Sequence, residues 1–359
     1  MSGFSYFFIL QMKLLNTRFL LSLLAFIIVF QSFANATSRA KYAGEFIAIG
    51  VGGRALGLGG AFTALANDVT SGYWNPAGLS KIMYPQITLM HDERFSGLVN
   101  YDYGAVALPV GTNASLAVSA IRLGVDNIPN TQNAGVDANG NPLPPDQWYN
   151  FSRIDPTQVT YFNAADWALY LSYSRKSDEK LSYGANLKFI RRDIGEASAT
   201  GIGFDIGAQY LVSPSLALGA MFQDITTTFV AWTTGTNELI SPTLKVGSAY
   251  FIDAWGGRFT PALDVDVRFE GRTSSANAHL GAISFDIHSG LEYDIKNILA
   301  LRLGYSEVGS LNIGTGVHLP KFDIDYSFAK FDNVNQLGNT HRISLTFTLQ
   351  AEQFIRSAE

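Results

Sequence analysis

The stretch Thr200-Gly-Ile-Gly-Phe-Asp-Ile-Gly-Ala-Gln-Tyr-Leu-Val212 decides the fold. Ile202, Phe204, Ile206, Ala208, Tyr210 and Val212 share one face of an extended chain, and Gly203, Asp205, Gly207 and Gln209 share the other. Strand side chains alternate between faces, so a period of two marks a strand with one apolar and one polar side. The pattern recurs downstream. Leu263, Val265, Val267 and Phe269 alternate with Asp264, Asp266, Arg268 and Glu270, and Phe322, Ile324, Tyr326 and Phe328 with Lys321, Asp323, Asp325 and Ser327. In the last run Ile343, Leu345, Phe347 and Leu349 alternate with Arg342, Ser344, Thr346 and Thr348. Such runs reach about ten residues, whereas soluble strands average about five or six. Ten tilted residues match the thickness of a hydrocarbon layer. Aromatics including Tyr101, Trp167, Tyr173, Tyr250, Trp255, Tyr293 and Tyr305 gather near run ends, as in the interfacial girdles of membrane barrels.

Fourteen such runs can be drawn across residues 85–349, and an even count returns both ends to one side of a membrane. Connections after even-numbered runs are short: 110–113, 176–179, 213–214, 253–257, 295–297 and Pro320. Those after odd-numbered runs include 124–163, 225–239, 271–279 and 332–339. Short inner turns with long outer loops are the pattern of outer-membrane barrels. Backbone N–H and C=O groups find no water in the bilayer core, so such a sheet must close on itself. The expected fold is all-β: a transmembrane antiparallel outer-membrane barrel of about fourteen strands.

Composition agrees. Charged residues are 15% and aromatics 13%, against a usual charged share of about 25%. Residues 1–36 read as a signal peptide: Lys13 and Arg18 precede the apolar run Phe19–Phe33, and Ala34-Asn35-Ala36 forms a cleavage site. The 25 basic and 30 acidic residues give −5, and loss of Lys13 and Arg18 with the leader takes the mature charge to −7. A nucleic-acid partner would require a basic surface. The absence of cysteine excludes thiolate metal and redox sites. Gln350 to Glu359 reads as a polar periplasmic tail.

Between leader and first strand, residues 37–84 contain Gly50-Val-Gly-Gly-Arg-Ala-Leu-Gly-Leu-Gly-Gly-Ala-Phe62, then Ala66-Asn-Asp68 and Tyr73-Trp-Asn-Pro-Ala-Gly-Leu79. So many glycines suit neither helix nor strand; they suit compact turns inside an enclosing wall. Gly50-x-Gly52-x-x-Ala55 loosely fits a dinucleotide fingerprint but has no βαβ unit around it. The segment resembles the PorV/PorQ family of outer-membrane proteins, within the wider FadL-like barrel class. That resemblance implies an N-terminal plug inside the lumen, with Asn75-Pro76-Ala77 matching the plug element of FadL-type transporters. It also implies a role in type IX protein secretion as a cargo-binding or scaffold component. Secretion-machinery proteins or cargo C-terminal domains would be the partners, beside outer-membrane lipid. The alternative is a FadL-like channel for a hydrophobic solute. Either way the protein sits in the outer membrane of a Gram-negative-type bacterium.

The plug motif is Gly52, Gly53, Arg54, Gly57, Gly59, Gly60, Asp68, Asn75, Pro76 and Ala77. Within it Arg54, Asp68 and Asn75 either latch onto lumen-facing charges or simply satisfy buried polar groups. Those lumen charges are Asp205, Asp264, Asp266, Arg268, Asp323 and Asp325. Asp137-Ala-Asn139-Gly-Asn141 begins like a calcium loop but has Pro142 where a glycine belongs and Trp148 where a glutamate belongs. The five histidines show no ligand spacing, and no nucleophile is paired with a base. The expectation is a non-enzyme with no catalytic residues, metal or cofactor.

Overall fold

In the computed structural model, which describes residues 44–95, 97–272, 276–306, 309–330 and 339–356, fourteen antiparallel strands close into a barrel. They are β1 (Gln86–Arg94), β2 (Val99–Val110), β3 (Ala114–Asn130), β4 (Thr160–Lys176), β5 (Leu181–Ile194) and β6 (Ala197–Ser213). β7 covers Leu216–Gln223 and resumes over Thr228–Trp232, and β8 covers Asn237–Ile240 and Thr243–Tyr250. β9 (Gly257–Arg268), β10 (Ile283–Ile295), β11 (Leu299–Tyr305), β12 (Leu311–Leu319), β13 (Phe322–Lys330) and β14 (Thr340–Thr348) complete the wall. β14 pairs with β1, with Thr348 opposite Gln86 and His341 opposite Glu93, so no edge remains. The leader and its cleavage site lie outside the described residues.

The alternation runs opposite to that of a soluble protein. On β6, Ile202, Phe204, Ile206 and Tyr210 are 42–47% exposed, while Asp205 and Gln209 are buried. Apolar side chains thus face outward, where only lipid makes their exposure favourable. No helix among the described residues is long and apolar enough to cross a membrane; the strands do the crossing. At the short-turn end, Phe259 stacks on Tyr293 with ring centroids 4.1 Å apart, and Trp255 meets Phe259 edge-on at 5.3 Å. Such outward rings belong at the membrane–water boundary.

Three strands outrun the apolar pattern. β3, β4 and β6 are each 17 residues long. The pairing of β3 with β4 continues past Val125 through a bulge to Asn130 opposite Thr160. Asn127 sits there with φ of 57°, and polar residues beyond the lipid need not alternate. This is why the sequence pattern ended at 123 and resumed at 164.

Residues 44–82 form short elements: α1 (Glu45–Ala48), α2 (Gly53–Gly57), α3 (Ser71–Trp74) and a 3-10 turn over Pro76–Lys81. Val51, Leu58, Phe62, Val69 and Leu79 are fully buried. The segment meets inward faces on every side: α2 packs on β11 to β14, α3 on β3 and β4, and the 3-10 turn on β3 to β6. After β14 the chain does not trail away at once. Arg356 is buried and donates to the carbonyls of Ile82, Thr112 and Ala114 and to Ser115 Oγ, stitching it to the end of the segment and the β2–β3 turn.

Candidate functional site

The enclosed segment and the two hollows beside it form the candidate site. Asp264 on β9 accepts the backbone N–H groups of Phe62 and Thr63 at 3.0 and 2.8 Å. Arg54 forks onto Glu292 of β10 at 3.0 and 2.9 Å and donates to Asn67 at 2.8 Å. Glu292 also accepts from Arg302 at 2.7 Å, and Arg302 reaches Asp325 at 2.6 Å. Two guanidiniums and two carboxylates thus alternate in a buried chain; opposite charges are required there because an unpaired one is costly to bury. Asn75 donates to Thr63 O at 2.9 Å and to the wall carbonyls of Ala208 and Ala220 at 3.1 and 3.4 Å. Its own Oδ1 takes the N–H of Ala77 at 3.2 Å, and Pro76 opens the turn where no N–H is needed.

The remaining motif residues divide by role. Gly52, Gly59 and Gly60 have φ of 80°, 66° and 86°, a left-handed region only glycine enters without strain. Gly53 N donates to Ser344 Oγ at 2.9 Å, and a side chain at Gly57 would meet the backbone of Gly314. Asp68 does not latch onto the wall: it accepts from Thr70 N and Oγ1 at 2.8 and 2.5 Å, turning its own loop. Of the six lumen charges, Asp264 accepts hydrogen bonds from the segment, and Asp325 lies against Gly53 with its carboxylate on Arg302. Asp205 holds Lys188, Asp266 holds Lys245, Arg268 pairs with Asp286, and Asp323 meets His318.

Sequence reasoning missed Glu292, the partner of Arg54. It also missed Gln209 and Asn186, which donate to the segment's carbonyls at Thr63, Ala66 and Gly72. Glu292 shares an inward face with Asp286 and His288, so the alternation could have found it.

Seven wall glycines are the other half of the fit: Gly184, Gly207, Gly219, Gly247, Gly290, Gly304 and Gly314. A Cβ on Gly184 would stand 2.6 Å from the carbonyl carbon of Pro76, and one on Gly290 2.7 Å from Leu58 O. On Gly304 it would strike the backbone of Leu58 and Gly59, and on Gly219 that of Thr63 and Ala64.

Two hollows flank the segment, and among the described residues none borders both. The one at the long-loop end has a volume of about 390 Å³. Ile47, Ile49, Leu56, Tyr73 and Trp74 of the segment give it an apolar floor, and wall residues such as Lys245, Asn312 and Arg342 give it polar sides. The other, at the short-turn end, holds about 920 Å³ and is bordered by Arg54, Leu65, Asn67 and Lys81. The segment therefore divides the bore in two.

At the loop end, Asp137 folds the turn that begins like a calcium loop onto itself. Its carboxylate accepts the Asn141 side chain at 3.0 Å and the N–H groups of Asn139 and Asn141 at 2.8 Å. The Asn141 amide and these N–H groups hold its carboxyl below the usual range, and the same bonds occupy the oxygens a cation would need. Among the described residues no group of three acidic or histidine side chains is placed to hold a metal.

A family model described as an uncharacterised protein family (UPF0164) matches residues 29–103. No curated protein matches the sequence. Several solved structures match the fold. The TodX toluene transporter of Pseudomonas putida is 12% identical with a TM-score of 0.59, covering 84% of this chain and 99% of its own. The CymD monoaromatic hydrocarbon channel is 14% identical at 0.56, covering 84% and 98%. The TbuX toluene transporter of Ralstonia pickettii is 13% identical at 0.54, covering 83% and 98%.

These structures are named as hydrocarbon channels or toluene transporters, and their likeness shows that this chain shares their barrel fold. They overturn the secretion role: these three structures are named for hydrocarbons, and nothing found points to the PorV/PorQ family specifically. The physical reason lies in the contacts above. The glycine spacing and Asn75-Pro76-Ala77 serve close approach to a barrel wall, so they report the packing and are silent about cargo.

Proposed function

We propose that the chain is a plugged outer-membrane channel that admits a hydrophobic small molecule from the long-loop side, reached through an N-terminal signal peptide that is then removed. The carrying observation is the divided bore. An outer hollow floored by Ile47, Ile49, Leu56, Tyr73 and Trp74 stands over a segment beneath which a second hollow opens inward. Concave, partly apolar hollows with a few polar groups are where small ligands bind. The segment from Gly44 to Ile82 acts as a resident plug, and a solute passes by local shifts beside it. The relatives in fold named for toluene and monoaromatic hydrocarbons support this class of solute.

The test is uptake of radiolabelled toluene and octane by intact cells whose outer leaflet resists apolar solutes, with and without the protein. A several-fold faster uptake of at least one solute is expected, reduced by Trp74→Ala, which removes the floor. Uptake equal to that of cells lacking the protein, for both solutes, would sink the reading.

A further inference from the structure

The outer hollow is electrically lopsided. On the β8–β10 side its charges balance: Lys245 meets Asp266, and Arg268 and Arg272 meet Asp286 and Glu270. At the β1–β14 seam they do not. Arg342 and Arg94 share the single carboxylate of Asp92, at 3.3 and 3.7 Å. Among the described residues Arg94 Nη1 has no hydrogen-bond partner, nor does the hydroxyl of Thr340, which is 2% exposed. Arg94, Arg342 and Thr340 all border the hollow. Counting the described residues, this corner keeps one positive charge in excess, with two donors and one acceptor, Asp92 Oδ1, unused.

The opposite imbalance lies at β6 and β7. Lys188, fully buried, is the only cation within ion-pair distance of Asp205 and Asp224 among the described residues, at 3.3 and 2.5 Å. Asp224 sits where β7 is interrupted, with φ of 53°, and borders the same hollow. Nearby, Arg192 of β5 likewise answers two acids, Asp166 and Glu238. β1 and β7 are six strands apart in a ring of fourteen, so the two corners face each other nearly across the bore. Between them runs the apolar floor of Leu56, Tyr73 and Trp74.

We propose that the outer hollow binds a dipolar amphiphile, its oxyanion end at Arg94, Arg342 and Thr340, its cationic end at Asp224, and its apolar body across the floor. A buried excess charge is strongly unfavourable until matched, and such a ligand matches both at once. At about 390 Å³ the hollow falls within the usual range for small ligands, about 300–1,000 Å³. This inference rests on the channel reading but departs from the uncharged solutes of the fold relatives.

The test uses the full chain in lipid nanodiscs and equilibrium dialysis against four labelled probes: dodecane, dodecanoate, dodecylamine and the ω-amino derivative of dodecanoate. Empty nanodiscs give the partitioning background. The ω-amino acid is expected to bind at least tenfold more tightly than either singly charged probe. Asp224→Asn should weaken the amine and the ω-amino acid about tenfold and leave dodecanoate unchanged. Arg94→Gln and Thr340→Val should weaken the anion and the ω-amino acid and leave the amine unchanged. Heat-shifted gel migration identifies variants that have folded. Equal binding of all four probes, preference for dodecanoate alone, or insensitivity of folded variants would each overturn the proposal. Uptake of toluene and octane judges the channel separately.

Discussion

The two halves of the barrel interior hold the same segment in different ways. On β5, β7, β10, β11 and β12 inward glycines let wall backbone touch segment backbone, and on β6 and β8 they make room for the side chains of Asn75, Pro76 and Asp264. From β1 to β4 no glycine faces inward among the described residues; the contacts there are side chains, among them the almost fully buried Met90, Tyr101, Ile121 and Tyr170, with Gln86 and Ser174 bonding to segment backbone. Tyr73 of the segment meets Tyr170 edge-on at 6.2 Å. A backbone-to-backbone contact has no rotamer to change, whereas side-chain packing can rearrange within the set of staggered rotamers. The glycine arc is therefore the fixed support, and the tyrosine arc is the face along which the segment can loosen.

The hardest test of this contrast is Gly304→Val. The new side chain would strike the backbone of Leu58 and Gly59, neither of which can turn aside. Overpacking costs typically 1–3 kcal/mol where neighbours can adjust. Here the loss should exceed about 3 kcal/mol on that scale, read as a lower midpoint of urea unfolding in vesicles. Ala105→Val on the inward face of β2 adds two carbons rather than three, among side chains, and should stay within the usual range. Equal losses for the two would erase the distinction between the arcs.

Next in size is Asp264→Ala. It leaves the N–H groups of Phe62 and Thr63 without their acceptor in a buried place. Each unsatisfied donor costs about 1–3 kcal/mol, so a loss of about 2–6 kcal/mol is expected for the two, together with faster hydrogen exchange at those two amides. Unchanged exchange there would show that Asp264 does not hold the segment.

How much of this could be read beforehand depends on distance along the chain. Alternation is local: Phe204 beside Asp205 declares a two-faced strand without knowledge of its neighbours, and fourteen such runs sufficed for the wall. The pairing of Arg54 with Glu292 joins residues 238 apart, and no local pattern states it. What Gly304 and Gly290 accommodate, Leu58 and Gly59, lies far away in sequence, so the strands themselves give no sign of it. The motif between Gly50 and Leu79 was legible as something compact and enclosed. Its use was misread, because close packing against a wall looks the same whatever the barrel transports. The balance of charge around the outer hollow was invisible too, since Arg94, Asp92 and Arg342 meet only when β14 closes on β1.

The smallest expected effect lies on the tyrosine arc. The hydroxyls of Tyr101 and Tyr170 have no hydrogen-bond partner among the described residues, though both rings are almost fully buried. A buried polar group without a partner forfeits its hydration and gains nothing in return. Tyr101→Phe and Tyr170→Phe keep the ring and its packing and remove only that group. Each should leave unfolding within about 1 kcal/mol of the parent, or raise stability slightly, since replacing an unsatisfied polar group by an apolar one is near neutral. The same pair should alter solute uptake more than stability if the segment loosens on this face, because the hydroxyls then meet the passing molecule. A large loss of stability in either variant would mean that these hydroxyls are anchored, and the two arcs would be alike.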